Sequence, residues 1–253
     1  MKISVITPSL NQGQFIERTI LSVLGQEGDF ELEYIVADGG SIDNSLDIIR
    51  RYEHSLRWIS EKDRGQSDAI NKGFAMASGE LLAWLNSDDT YEPDALSEVA
   101  ETYRESKFDW CFGNCRNIDE NDHEIRKFIT RYKIFDGRRY TFRRLLSRNF
   151  VSQPTVFFTK TICQKIGPLD LNCHYAMDYD YWLRIGKKCS PLYVDKFLAD
   201  FRWHKDSKCS RNYKKAAYEA YFSAKRHAAS RDRYPVLRHF AHYVTLNLLY
   251  KFL

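Results

Sequence analysis

Apolar residues recur along the first half of the chain in two alternating rhythms. Short β-like runs, Ile3-Ser4-Val5-Ile6, Tyr34-Ile35-Val36-Ala37, Leu56 to Ser60 and Leu81 to Leu85, each end in a polar turn. Between them apolar positions return at helical spacing, as in Phe15, Ile16, Ile20, Val23 and Leu24. Helices are predicted there, over Ser45 to Tyr52, over Gln66 to Met76 and over Pro93 to Tyr103. Alternation of this kind implies a parallel sheet covered on both faces. Beyond Asp109 the rhythm breaks. Strands are predicted over Asp109 to Gly113, Ile125 to Thr130, Thr155 to Thr159 and Leu192 to Trp203, with a short helix over Tyr140 to Ser147. Two helices are expected at the end, Tyr213 to Ser230 and Val236 to Phe252. The expected layout is a domain over 1–210, divided into halves 1–114 and 115–210, and a helical extension over 211–253.

One strand end carries chemistry of its own. The run Ala83-Trp84-Leu85 gives way at once to Asn86-Ser87-Asp88-Asp89, residues whose side chains favour turns. Two adjacent carboxylates thereby stand at the carboxyl edge of the sheet, where open α/β folds bind ligands. Hard oxygen donors there suit Mg2+ or Mn2+, and those ions suit a diphosphate. Asp38 and Asp63 follow two of the other strands, so crossover connections should bring Asp38, Asp63 and Asp88 near one crevice.

Composition adds bounds. The 253 residues are 43% hydrophobic, enough for a large core. The opening Met1-Lys2-Ile3-Ser4-Val5 lacks a charged-then-apolar leader layout and is expected to belong to the fold. Six irregularly spaced cysteines without that leader favour reduced thiols and a cytoplasmic location. Cys111 and Cys115 lack a second pair at zinc spacing and are expected to be packing residues. The net charge of +4 conceals a polarity: Arg126 to Arg148 holds nine Lys/Arg against Asp136 alone, and Arg202 to Leu253 holds twelve against three acids. Such segments gather phosphates or an anionic membrane surface, or are simply solvated. No recognition helix or RNA-binding motif accompanies them, so nucleic acid is not an expected partner.

Taken in order, six motifs resemble the inverting family-2 glycosyltransferases of the GT-A fold. They are Val5-Ile6-Thr7-Pro8-Ser9-Leu10-Asn11; Ile35-Val36-Ala37-Asp38-Gly39-Gly40-Ser41-x-Asp43; Glu61-x-Asp63-Arg64-Gly65-Gln66 with Ala69-x-Asn71-x-Gly73; Gly79-Glu80 before Asn86-Ser87-Asp88-Asp89; Met177-Asp178-x-Asp180-x-Trp182-Leu183-Arg184; and Arg202-x-His204-x-x-Ser207-Lys208. The resemblance covers roughly residues 3 to 208 and departs from the family at Asn86 and Met177, where Asp and Glu are common. It implies an α/β fold of GT-A type: a Rossmann-like, mostly parallel central sheet flanked by helices, with a mixed α+β acceptor-side half.

The resemblance also implies roles. Asp88, with His204, would hold a divalent metal (Mn2+ or Mg2+) on the diphosphate of a nucleotide-sugar donor. Asp89 would orient the turn, and Arg202 and Lys208 would add positive charge. Asp178 would be the general base, in an aromatic setting that raises its basicity, with Asp180 as cap or support and Trp182 as either a sugar platform or core. Asp38 would hydrogen-bond the nucleobase, and the backbone at Thr7, Pro8 and Ser9 would line the same base and ribose, with Arg64, Gln66, Asn86 and Ser87 contributing to nucleotide-sugar binding.

The acceptor is expected to be a saccharide, free or linked to a lipid diphosphate. Arg138 to Arg144 and the stretch Phe150 to Pro154 are expected on its side. The last helix, with Val236, Leu237, Phe240, Val244, Leu248 and Leu249 edged by Arg238, His239, His242 and Lys251, is expected to serve the membrane's inner face, a second subunit in a homo-oligomer, or its own domain. Two other functions compete. A sugar nucleotidyltransferase would carry a Gly-rich first loop, which Thr7 to Gly13 lacks. A catalytically silent saccharide- or nucleotide-sugar-binding protein has no need of Asp88, Asp178 and His204 together.

Overall fold

The computed structural model describes residues 1–205, 207–208 and 212–249, the side chains of 242, 243 and 245–249 excepted. One sheet organises the chain. Its first half consists of β1 (Lys2–Ser9), β2 (Glu31–Asp38), β3 (Arg57–Ser60) and β4 (Leu81–Trp84), parallel neighbours in the order β3-β2-β1-β4. The helices between them are α1 (Ile16–Leu24), α2 (Ser45–Arg51) and α3 (Gln66–Met76). Central β1 is buried on both faces from Ile3 onward, as a parallel strand between covering helices must be. Gly73 permits the tight fit of α3, since a Cβ there would stand 2.4 Å from Ile6.

Register places the ligand edge. Ser9 pairs with Asp38, and Asp38 with Ser60, so three strands end level. Ile6 pairs with Trp84, so β4 ends three residues sooner and its turn lies beside Thr7, Pro8 and Ser9.

The second half is mixed. After β5 (Thr90–Tyr91) and α4 (Ala95–Ser106), the long β6 (Trp110–Ile118) is separated from β4 by the antiparallel β8 (Val156–Thr159). Strand β9 (Leu192–Arg202) runs parallel to β6 and antiparallel to β5, which returns the chain to the Asp88 turn. The architecture agrees with the expected α/β class. One predicted strand does not exist: only β7 (Glu124–Ile125) pairs, and the chain then enters α5 (Lys127–Gly137). Arg126 in the left-handed region ends the strand, and helical order then prevails over the β-branched Ile129 and Thr130.

Helices α6 (Phe142–Ser147), α7 (Lys160–Ile166) and α8 (Met177–Gly186) complete this half, and α9 (Tyr213–His227) and α10 (Arg233–Leu249) follow. The last two lie directly on it. Glu219 of α9 accepts from the Tyr175 and Ala176 amides at 2.6 and 3.1 Å, and buried His239 of α10 lies 3.1 Å from the Leu146 carbonyl. The five described cysteines are free, Cys111 and Cys115 being buried in the sheet. Cys209, Lys251 and the side chains of His242, Leu248 and Leu249 lie outside what the structure describes.

Candidate active site

A pocket of about 540 Å³ opens at this sheet edge. Pro8, Ser9 and Gln12 form one wall, Asp63 and Gln66 another, and Asn86, Ser87 and Asp88 the floor. His174, Tyr175 and Asp178 also line it, with Ser207, Lys208 and Asn212.

The floor is held from the far end of the chain. Asp89 is fully buried; its carboxylate accepts from the Arg202 amide at 2.9 Å, and its carbonyl accepts from Thr19 Oγ1 at 2.7 Å. Burial and the neighbouring Asp88 push the Asp89 carboxyl well above the usual carboxylate range. Arg202, also fully buried, donates through Nε to the Asp88 carbonyl at 2.8 Å and through Nη1 to the Asp119 carbonyl at 2.8 Å. With Asp89 turned inward, Asp88 faces the pocket. His204 Nε2 stands 3.0 Å from Asp88 Oδ2, its ring against Phe15 at 4.8 Å.

Side-chain amides cross the floor. Lys208 donates to Gln66, Gln66 to Asn86 Oδ1, and Asn86 Nδ2 to both Asp89 and Gln153 Oε1. Gln153 Nε2 then donates to the Trp84 carbonyl. Asn86 makes physical sense here, because an aspartate would lose two donations and add a third carboxylate beside Asp88 and Asp89.

Asp178 lies in the first turn of α8. Burial pushes its carboxyl up, partly opposed by the Tyr179 amide and the charges of Lys133 and Lys208. Lys133 reaches this side from α5 and donates to Ser152 Oγ at 3.1 Å. The pocket is therefore lined by one carboxylate raised by burial and by another that is anchored to an imidazole behind it. General-base chemistry needs the first, and anion and cation handling the second.

Residues 4–167 match the family model of glycosyl transferase family 2. The chain belongs to that family. It is 33% identical over 205 residues to an uncharacterized glycosyltransferase of Mycobacterium tuberculosis, covering 79% of this chain and 74% of the relative. A PGL/p-HBAD biosynthesis glycosyltransferase of Mycobacterium bovis is 31% identical over 202 residues, 77% of this chain and 73% of its own. Among solved structures, residues 1–349 of S. aureus TarS superpose with a TM-score of 0.69 at 18% identity, over 95% of this chain and 72% of theirs. Against the longer TarS chain the overlap is 39% of that protein. Mannosyltransferase PcManGT from Pyrobaculum calidifontis, solved with GDP-Man and Mn2+, superposes with a TM-score of 0.69 at 17% identity, over 95% of this chain and 69% of its own. These superpositions establish the fold.

The glycosyltransferase pocket gathers Pro8, Ser9, Gln66, Asn86, Ser87, Asp88, Asp178 and Lys208 on its walls; buried His204 stands behind Asp88 and does not line it, and Thr7, Asp38 and Arg64 also lie outside it. Thr7 is fully buried and accepts from the Tyr34 hydroxyl. Asp38, 2% exposed, accepts from the Gly40 and Ser41 amides and from the Ser41 and Ser60 hydroxyls, so its carboxylate shapes the loop instead of facing the crevice that Asp63 and Asp88 share. Arg64 points outward, 73% exposed, and pairs with Asp68. Trp182 is core and not a sugar platform, stacked between Trp84 and Trp110 at 5.1 and 6.1 Å. Asp180 supports without capping: Ala176 is the cap residue of α8, and Asp180 is paired with Arg226, His227 and Arg184. Burial opposes its charge, yet His227 and Arg226 hold the carboxyl below the usual range. Sequence reasoning missed Gln153 as a bridge, Lys133 beside the carboxylate and Glu219 beneath α8. Only contacts across the fold reveal them.

Proposed function

We propose that the enzyme transfers a sugar from a nucleoside-diphosphate sugar to a saccharide hydroxyl, free or lipid-linked, with inversion at the anomeric carbon. The observation that carries this reading is that Asp178, raised by burial, and Asp88, bonded to His204, line one pocket. The donor diphosphate lies over the Asp88 floor, and the acceptor hydroxyl enters on the Asp178 side. Asp178 takes the hydroxyl proton as the acceptor oxygen bonds to the anomeric carbon. On the opposite face the bond from that carbon to the phosphate oxygen breaks, and the nucleoside diphosphate departs with the electron pair. A base raised by burial and facing away from the leaving group suits this single displacement. Pro8 and Ser9 line the nucleoside end, where buried Ser9 Oγ has no protein partner among the described residues. The Lys208 ammonium adds charge for the diphosphate.

Asp88 and His204 would hold the divalent ion. Asp88 Oδ2 and His204 Nε2, 3.0 Å apart and hydrogen-bonded, set an oxygen and a nitrogen donor side by side, a pair that such an ion would accept. No group of three or more His, Cys, Asp or Glu side chains suited to a metal gathers among the described residues. Diphosphate and water would complete the shell, as Mg2+ commonly requires. The ion supplies charge neutralisation on the departing diphosphate when bound. PcManGT, of the same fold, was solved with GDP-Man and Mn2+.

A hydrolysis screen over UDP-, GDP- and dTDP-sugars with Mn2+ or Mg2+ tests the donor, and NMR of the transfer product tests the stereochemistry. Metal-dependent release of one nucleoside diphosphate and a product of opposite anomeric configuration are expected. Retention would overturn the single displacement.

A further inference from the structure

Helix α5 carries an exposed aromatic strip. Helix α5 turns Thr130 and Lys133 inward, to Asn117 and Ser152 beside the pocket. On its outer face stand Phe128, Tyr132 and Phe135, exposed by 73%, 40% and 52%. Their spacing sets them on one strip of the helix, which Arg131 and Arg139 share. Single exposed aromatics are ordinary, but three in one strip are not. The guanidinium of Arg139 lies 3.8 Å from the Phe135 ring centre, and that of Arg148 lies 5.2 Å from Tyr132. Arg143, which follows α5, donates to the Arg231 carbonyl just before α10, whose Tyr234 and Leu237 are 66% and 62% exposed.

We propose that this aromatic, arginine-edged face of α5, extended by the start of α10, seats the enzyme on an anionic membrane surface. Rings enter the headgroup boundary while guanidinium groups over and beside them meet lipid phosphates. Charge selects this occupant. Of the nine Lys/Arg from Arg126 to Arg148, Arg144 and Arg148 pair with buried Asp136, and Lys127, Arg138 and Arg143 pair with Glu124, Asp195 and Asp232, while Arg131 and Arg139 stand on the aromatic strip. A second copy would set these arginines against their own equivalents, because a two-fold contact repeats the same patch. An anionic bilayer attracts them. Among the described residues no helix is long and apolar enough to cross a membrane, so the contact is peripheral. The inference does not rest on the transfer chemistry and is tested without donor.

The test is co-sedimentation of the full chain with phosphatidylcholine vesicles and with vesicles in which phosphatidylglycerol replaces about a third of the lipid. Wild type should partition to the anionic vesicles and release with salt. Phe128→Ser with Phe135→Ser should weaken that partition roughly tenfold or more at an unchanged melting temperature. Arg131→Gln with Arg139→Gln should weaken it and flatten the salt dependence, which keeps the test intact if the first pair lowers stability. Equal binding to both vesicle types, or variants that bind like wild type, would overturn the proposal. So would a wild-type dimer, seen by light scattering, that the serine pair dissolves.

Discussion

Two of the carboxylates that line the pocket, Asp88 and Asp178, are held in different ways. Asp88 sits on a turn whose main chain is bonded by Arg202 and whose neighbour Asp89 is bonded by the same arginine, so the anchoring groups are buried and close. Asp178 rides on the first turn of α8, which is positioned by residues of α9 through Glu219 and through the pairing of Asp180 with Arg226 and His227. The Asp88 turn is thus fixed by sheet register, and Asp178 by helix packing, which tolerates adjustment more readily than a bonded strand end.

The contrast breaks first at the floor. Asp88→Asn should lower metal-dependent turnover by about 10³-fold, since a neutral amide replaces the charge at the ion. Calorimetric titration of UDP and GDP with Mn2+ checks it, and unchanged metal-dependent affinity would remove Asp88 as a ligand. Asp180→Ala acts on the other side. It leaves His227 and two partly exposed arginines without their buried acceptor, and about 2–3 kcal/mol of stability should be lost in urea unfolding. Donor affinity should stay near wild type at temperatures where the variant is folded.

Glu219→Ala sharpens the contrast with a smaller effect. Two amides at the start of α8 lose their acceptor, about 1 kcal/mol by analogy with a lost helix cap. Turnover should fall about tenfold with donor KM nearly constant, and Glu219→Gln should restore most of it. A matching loss in donor affinity would show that α9 acts on the floor as well.

Much of this difference is visible in the amino-acid sequence on one side only. Strands β1 to β4 announce themselves through apolar runs ending in Ser, Asp and Asn, and parallel register follows from their alternation with helices. Nothing local reveals that Asp38 folds its carboxylate into its own loop, or that Thr7 faces Tyr34. In the second half, Ile125 to Thr130 is β-branched enough to suggest a strand, while the exposed aromatics at 128, 132 and 135 carry the helical period that the structure realises. Trp182 lies in a motif with Asp178 but is buried by tryptophans 98 and 72 positions away. Lys133 and Glu219 reach the α8 side from helices 45 and 41 positions distant from Asp178. Such pairings arise from tertiary packing and leave no spacing signal.

The raised carboxyl of Asp178 gives a sign that stability can report. A group whose pKa is higher in the folded than in the unfolded chain contributes fully below the unfolded value, near pH 4, and loses that contribution as pH rises through the folded value. Charged Asp178 therefore weakens the fold at neutral pH. Asp178→Asn should raise the melting temperature there, and the gain should fade below about pH 4.

That variant also decides the central claim, that one carboxylate raised by burial takes the acceptor proton while the other side of the pocket holds the donor. Single-turnover transfer and donor affinity should be measured on Asp178→Asn with Mn2+ and the donor found in the hydrolysis screen. The account predicts a loss of transfer of about 10²-fold or more with donor affinity nearly intact. Transfer within a few-fold of wild type, or a parallel loss of donor affinity, would contradict it.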